Sequence, residues 1–260
     1  MSRIAKIMSA VAVFSVICGV FTRADLEVKL DVEHNSIIRF EDFNAEVTLV
    51  NKTGEPFVMY RDGTSIGPRF SFTVERNGEE IKTRSKDPFF EKVVIMPDGK
   101  KTATRDLTRW YNLSQEGQYL VVAQVEWDGT IYRSATRVLR VVGGISLAET
   151  SRSLSDDPRI HLTYSVRYWP RHKKDHAFLY VHDKKNSVNY GALDMGPILR
   201  VSKPRIKVDA DDNVTVVHRA NSDCIVRSRF RASKNGIASL GQELFLPSGE
   251  RITSFGKSVR

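Results

Sequence analysis

Six cations stand at alternate positions in two short segments, Lys203, Arg205 and Lys207, then Arg227, Arg229 and Arg231. Side chains two apart on a strand share a face, so each segment, read as a strand, presents three positive charges on one side. Ile206 and Val208 in the first, and Val226, Ser228 and Phe230 in the second, face the other way. Such a sheet surface suits phosphate or carboxylate groups, which a guanidinium grips through two parallel hydrogen bonds. Aromatic side chains that would stack bases are not interleaved among these cations, which argues against nucleic acid. The competing account is an ordinary solvated face that happens to carry one sign.

Other chemically suggestive spacings do less. Gly63-Thr64-Ser65-Ile66-Gly67 spells G-x-S-x-G, but a nucleophile elbow needs a strand leading in and a helix leading out. Pro68 and a strand-like stretch over residues 69–75 follow instead, so a glycine-flanked loop is expected. Asp209, Asp211 and Asn213 begin like a calcium loop, yet Val214 and Ala220 occupy the positions that need glycine and a bidentate acid. A hairpin turn fits better. His172 and His176, with His161, His182 and His218 elsewhere, invite a metal reading, but the first two lie in Arg171-His172-Lys173-Lys174-Asp175, where cations compete with a metal. No metal, cofactor or catalytic residue is assigned. The alternative is a hydrolase built on histidines and aspartates of the C-terminal half, which requires His161 or His218 in a pocket with an acid within hydrogen-bond reach.

The elements that must carry these residues are strands. The best-defined stretch is residues 107–142. Tyr119, Val121, Ala123, Val125 and Trp127 alternate with Leu120, Val122, Gln124 and Glu126, and Asp128-Gly129 supplies the positive φ pair of a two-residue type I′ turn. That turn sets Trp127 opposite Thr130, Val125 opposite Tyr132, Ala123 opposite Ser134, Val121 opposite Thr136 and Tyr119 opposite Val138. Gly117-Gln118-Tyr119 resembles the tyrosine corner of immunoglobulin-like domains, in which the tyrosine hydroxyl turns back onto nearby backbone. Val121 stands where those domains carry their second cysteine, so no disulfide is implied. An ordinary buried strand tyrosine is the alternative. The pattern over residues 107–125 is similar to immunoglobulin-like domains of exported bacterial proteins of unknown role. The resemblance covers about half the chain beyond the leader, and its structural motifs carry no functional residue across.

Further strands are expected at 26–32, 45–51, 57–60, 70–75, 80–83, 93–96 and 102–107, with Asn77-Gly78 and Pro97-Asp98-Gly99 as turns. Trp110 is read as a plug beneath the loop that leads into residue 117. Seven to nine short strands with a turn about every ten residues describe a two-sheet sandwich. After it, Pro158-Arg159-Ile160-His161-Leu162 recurs as Pro204-Arg205-Ile206-Lys207-Val208. The second copy resembles a β-propeller blade. Propellers close with 4–8 blades, so two copies are better read as two stacked antiparallel sheets.

The fold class is therefore all-β: a signal peptide (residues 1–24), an immunoglobulin-like sandwich (25–143), a linker (144–157), a β-rich domain of two blade-like repeats (158–250) and a tail (251–260). Arg3 and Lys6 precede an apolar run over residues 7–21 that ends in Thr22-Arg23-Ala24, as in a secretory leader. The run is shorter than the roughly 20 residues that span a bilayer, so no stable membrane span is expected after cleavage. Cys18 would leave with the leader and Cys224 would remain alone, so the secreted chain rests on its cores. Residues 25–150 carry a net charge of −3 and residues 151–260 of +9, an asymmetry that speaks of partners rather than fold. The expectation is a secreted or periplasmic, non-enzymatic binding or scaffold protein. Its partner would be a protein or an anionic envelope polymer met by the basic C-terminal face, and its oligomeric state is open.

Overall fold

The computed structural model describes residues 26–60, 67–171 and 174–252. The leader, residues 63–66 of the serine motif, His172 and the end of the tail lie outside them. The first half contains β1 (Leu26–Val32), β2 (Ser36–Ile38), β3 (Asn44–Asn51), β4 (Phe57–Met59), β5 (Arg69–Arg76), β6 (Glu79–Glu80), β7 (Val93–Ile95), β8 (Lys100–Asp106), β9 (Gly117–Trp127), β10 (Thr130–Arg133) and β11 (Arg137–Val142). One sheet runs β1-β3-β8, a second β2-β11-β9-β5-β6 with β10 also on β9, and β4 pairs with β7 in a small third. Alternation explains their packing. Leu26, Val28 and Leu30 of β1 and Ala45, Val47 and Leu49 of β3 meet Val121, Ala123 and Val125 of β9 in one core. Asn51 is buried beneath it. Its amide donates to the Glu55 and Ile95 carbonyls (2.8 and 2.9 Å), and its oxygen accepts from the Thr53 backbone and hydroxyl.

Asp128 and Gly129 take φ of 49° and 71°, and Trp127 faces Thr130 as the turn requires. The tyrosine corner is present: the Tyr119 hydroxyl donates to the Gln115 carbonyl at 2.8 Å. The expected register fails further along, however. Tyr119 faces Leu139 rather than Val138, and Val121 faces Arg137 rather than Thr136. Ser134 causes the shift. Its N–H donates to the Ala123 carbonyl (2.9 Å), while its hydroxyl takes the Ala123 N–H (3.0 Å) that a ladder carbonyl would otherwise accept. The chain leaves the ladder there and rejoins one residue late, as a bulge does. Leu139 consequently faces the core and Val138 is left 44% exposed.

The second half contains β12 (Ile145–Ser153), β13 (His161–Arg171), β14 (Lys174–Asp183), β15 (Val188–Pro197), β16 (Arg205–Val208), β17 (Asn213–Arg219), β18 (Ile225–Ser233) and β19 (Gly236–Phe245). They form two four-stranded antiparallel sheets, β12-β13-β14-β15 and β16-β17-β18-β19. Leu162, Tyr164, Val166 and Leu179 of the first pack on Val214, Val216 and Phe230 of the second. The protein is all-β, and no described helix is long and apolar enough to cross a membrane.

Two expectations are corrected here. The blade-like repeat is not one: the first PRI segment runs into β13, which has a neighbour on each side, whereas the second forms the edge strand β16. The sheets stack over one core instead of standing around an axis. Residues 144–157 are not a linker either, because β12 pairs along β13 from Ile145 to Ser153. An edge strand tolerates polar residues, and a register shift between Ser146 and Ala148 hides its alternation.

β2 pairs in parallel with β11 inside the first half and from there reaches the second. Ile37 enters the first core, while Ile38 joins Phe40, Trp169, Phe178, Tyr180 and Ala192 in a cluster between the halves. Gly144 passes so close that a Cβ there would lie 2.6 Å from Ile38 Cδ1. Beside this cluster the buried Arg171 donates to Glu41 of the first half (2.6 Å) and to Asp194 of the second (2.9 Å). Arg171→Met would strand the Glu41 carboxylate in a poorly solvated place, a change that costs about 3–5 kcal/mol. The urea midpoint should fall accordingly; a change within error would show that the ion pair does not hold the halves. Ser134→Ala leaves the buried Ala123 N–H without its acceptor and should cost about 1–3 kcal/mol in the same measurement.

Candidate functional site

The β16–β19 sheet turns Val214, Val216, Val226, Ser228 and Phe230 inward, so the intervening residues face outward. Pairing places Arg205, Val217, Arg227 and Glu243 in one row across the strands, and Lys207, Thr215, Arg229 and Gly241 in the next. Arg231 lies beyond, opposite Asn213. Five of the six cations singled out from the sequence therefore share one face. Lys203 does not, because β16 begins at Arg205 and Lys203 is exposed in the loop ahead of buried Pro204.

Three further groups belong to this surface. Arg219 continues the outward face of β17. Arg251 is returned to it by the turn at Pro247-Ser248-Gly249, which pairs Phe245 with Arg251. Glu243 lies among the cations, 3.8 Å from Arg227, 3.7 Å from Arg229 and 3.2 Å from Arg251, with its side chain only 15% exposed. Arg227 also lies over the Phe245 ring, 4.5 Å from its centroid, and Arg231 Nε donates to Asn213 Oδ1 at 3.1 Å. Alternation on β17 could have revealed Arg219. Arg251 and Glu243 depend on a chain reversal and a cross-strand register that the residue types alone do not give. Six arginines and Lys207 share this face with Glu243, whose one carboxylate only partly offsets them.

The remaining candidates separate. His161 Nδ1 lies 3.1 Å from the Ser153 hydroxyl, His176 Nδ1 lies 3.0 Å from Asp194, and His218 is buried with Nε2 donating to the Pro197 carbonyl (3.2 Å). Among the described residues, neither His161 nor His218 has a side-chain carboxylate within hydrogen-bond reach of its ring, as the hydrolase alternative needs, and none form a group of three metal-ligating side chains. Asp209 forms the expected turn, its carboxylate accepting from Asp211 N, Asn213 N and Asn213 Nδ2. Gly67, the one described residue of the serine motif, is followed by Pro68 and strand β5 rather than by a helix. Trp110 is half-buried: its indole donates to the Asp87 carbonyl at 2.7 Å, and with Phe70, Phe72, Phe89 and Tyr111 it lines a cavity of about 250 Å³.

Neither a protein-family model nor a curated protein matches the chain. Among solved structures it is similar to the CARDB domain of a Pyrococcus furiosus protein, at 20% identity and a TM-score of 0.30, covering 46% of this chain and 95% of that one. It is also similar to Spo0M, a sporulation control protein of Bacillus subtilis, at 7% identity and a TM-score of 0.31, covering 86% and 91%. Likeness of this degree transfers no residue role.

Burial holds the His218 ring below the ordinary histidine value, and burial, followed by Lys184 and Arg167, does the same to His182. The folded chain therefore binds fewer protons than the unfolded chain once pH falls through 6.5. Their contribution to stability is complete above that pH and is lost as pH falls below it. The urea midpoint should drop between about pH 7.5 and 5, with a shallower drop in the His182→Gln/His218→Gln variant. An unchanged slope would refute the assignment.

Proposed function

We propose that this is an exported, non-enzymatic binding protein whose second sandwich carries a docking face for anionic envelope polymers. The observation that carries the reading is the shared face of Arg205, Lys207, Arg227, Arg229 and Arg231, with Glu243 as its acid. Export rests on the leader-like residues 1–24. Guanidinium groups take phosphate or carboxylate bidentately, and rows of them reward a ligand with repeated charges. The separated histidines favour binding over hydrolysis.

Retention on an immobilised polyanion should weaken steeply with salt. Each neutralised charge of a single-stranded polyanion contributes a log–log slope of about 0.7, so the five cations of the two rows contribute roughly 3.5, before any share of Arg219 and Arg251. Replacing Arg227, Arg229 and Arg231 together by Ser should lower the slope by roughly 2.1. Absence of retention at low salt, or a slope unchanged in the triple variant, would refute the reading.

A further inference from the structure

The cations do not cover the sheet evenly. Arg205 and Lys207 stand on β16 and Arg227, Arg229 and Arg231 on β18, while β17 between them presents Val217, Thr215 and Asn213. Neighbouring strands lie about 4.8 Å apart, so the two charged rows run parallel at roughly 9.6 Å. Long cationic side chains on either side of half-buried, uncharged ones make this strip a shallow trough, closed at its Asn213 end, where Arg231 Nε donates to Asn213 Oδ1. Arg219 stands at one end, beyond Val217.

Resting on the polyanion reading above, the geometry points to a single linear polyol-phosphate chain lying along β17, with its phosphates gripped from both walls. The spacing supports this ligand class. Cations two residues apart recur every ~6.7 Å along a strand, the span of six backbone bonds. A phosphodiester chain with three carbons per repeat also has six bonds between successive phosphorus atoms: P–O, O–C, C–C, C–C, C–O and O–P. Its charges therefore stay in step with Arg227, Arg229 and Arg231. Inorganic polyphosphate, with two bonds per repeat, crowds its charges too closely for this match. The floor suits a polyol as well, because Val217 offers a methyl surface and Thr215 a hydroxyl between the charged walls. A nucleic acid strand has the same six-bond repeat, but its bases would find no exposed stacking platform between the rows. Glu243 competes for the β18 wall, since its carboxylate is the anion that Arg227 and Arg229 now approach.

The test is titration of the full chain with 1,3-linked poly(glycerol phosphate) of about six repeats, alongside polyglutamate of equal charge, oligothymidylate and phosphatidylglycerol vesicles. Poly(glycerol phosphate) should bind about tenfold more tightly than polyglutamate, a difference of about 1.4 kcal/mol. Thr215→Trp, which fills the trough and keeps every cation, should lose about that factor while circular dichroism stays unchanged. Glu243→Gln should tighten binding, an outcome that misfolding cannot mimic. Equal affinity for polyglutamate, or a folded Thr215→Trp protein that binds normally, would overturn the trough and leave the polyanion reading standing. Preference for oligothymidylate would make the ligand a nucleic acid, and preference for vesicles would make it a lipid surface; either overturns the inference. Failure to bind any of the four would bring down both readings.

Discussion

A strand sends successive side chains to opposite faces, and in β2 this puts Ile37 in the first core and Ile38 in the cluster between the halves. Two neighbouring residues of one short strand thus belong to two different hydrophobic environments. The parallel pairing of β2 with β11 fixes where those faces point. Immediately after β11 the chain passes Gly144 and enters β12, so the second sandwich is attached by a continuous path of strand rather than by a tether. The Arg171 contacts to Glu41 and Asp194 add direction to that apolar contact.

Where local chemistry sufficed, the sequence could be read. Asp128-Gly129 specified its turn, Tyr119 its corner, and alternation on β18 put three arginines on one face. Where the outcome depended on a side chain replacing backbone, it could not. The Ser134 hydroxyl takes a ladder position, and no periodicity announces that. β2 was hidden because three residues are too few to show a period, and β12 because its shift breaks the alternation. The site was legible in part for the same reason: the rows belong to single strands, whereas Glu243 and Arg251 arrive from elsewhere along the chain.

The basic face also shows how charge is kept compatible with folding. Each arginine stem lies on the outer side of a sheet whose inner side is packed, so the cations are never desolvated as a group. Glu243 relieves repulsion where Arg227, Arg229 and Arg251 converge, and Phe245 gives one guanidinium an aromatic surface. The long approaches of Arg227 and Arg229 to Glu243 leave those groups available to another anion.

Asn51 has a consequence of a different kind. Asn51-Lys52-Thr53 spells an acceptor site for an N-linked glycan, yet the asparagine is fully buried and both amide hydrogens are engaged by the Glu55 and Ile95 carbonyls. A sugar on that nitrogen could be attached only before the first sandwich closes, and closure would then lack the link from β3 to β7. Made in a eukaryotic secretory host, this chain would have to fold faster at Asn51 than a transferase could reach it.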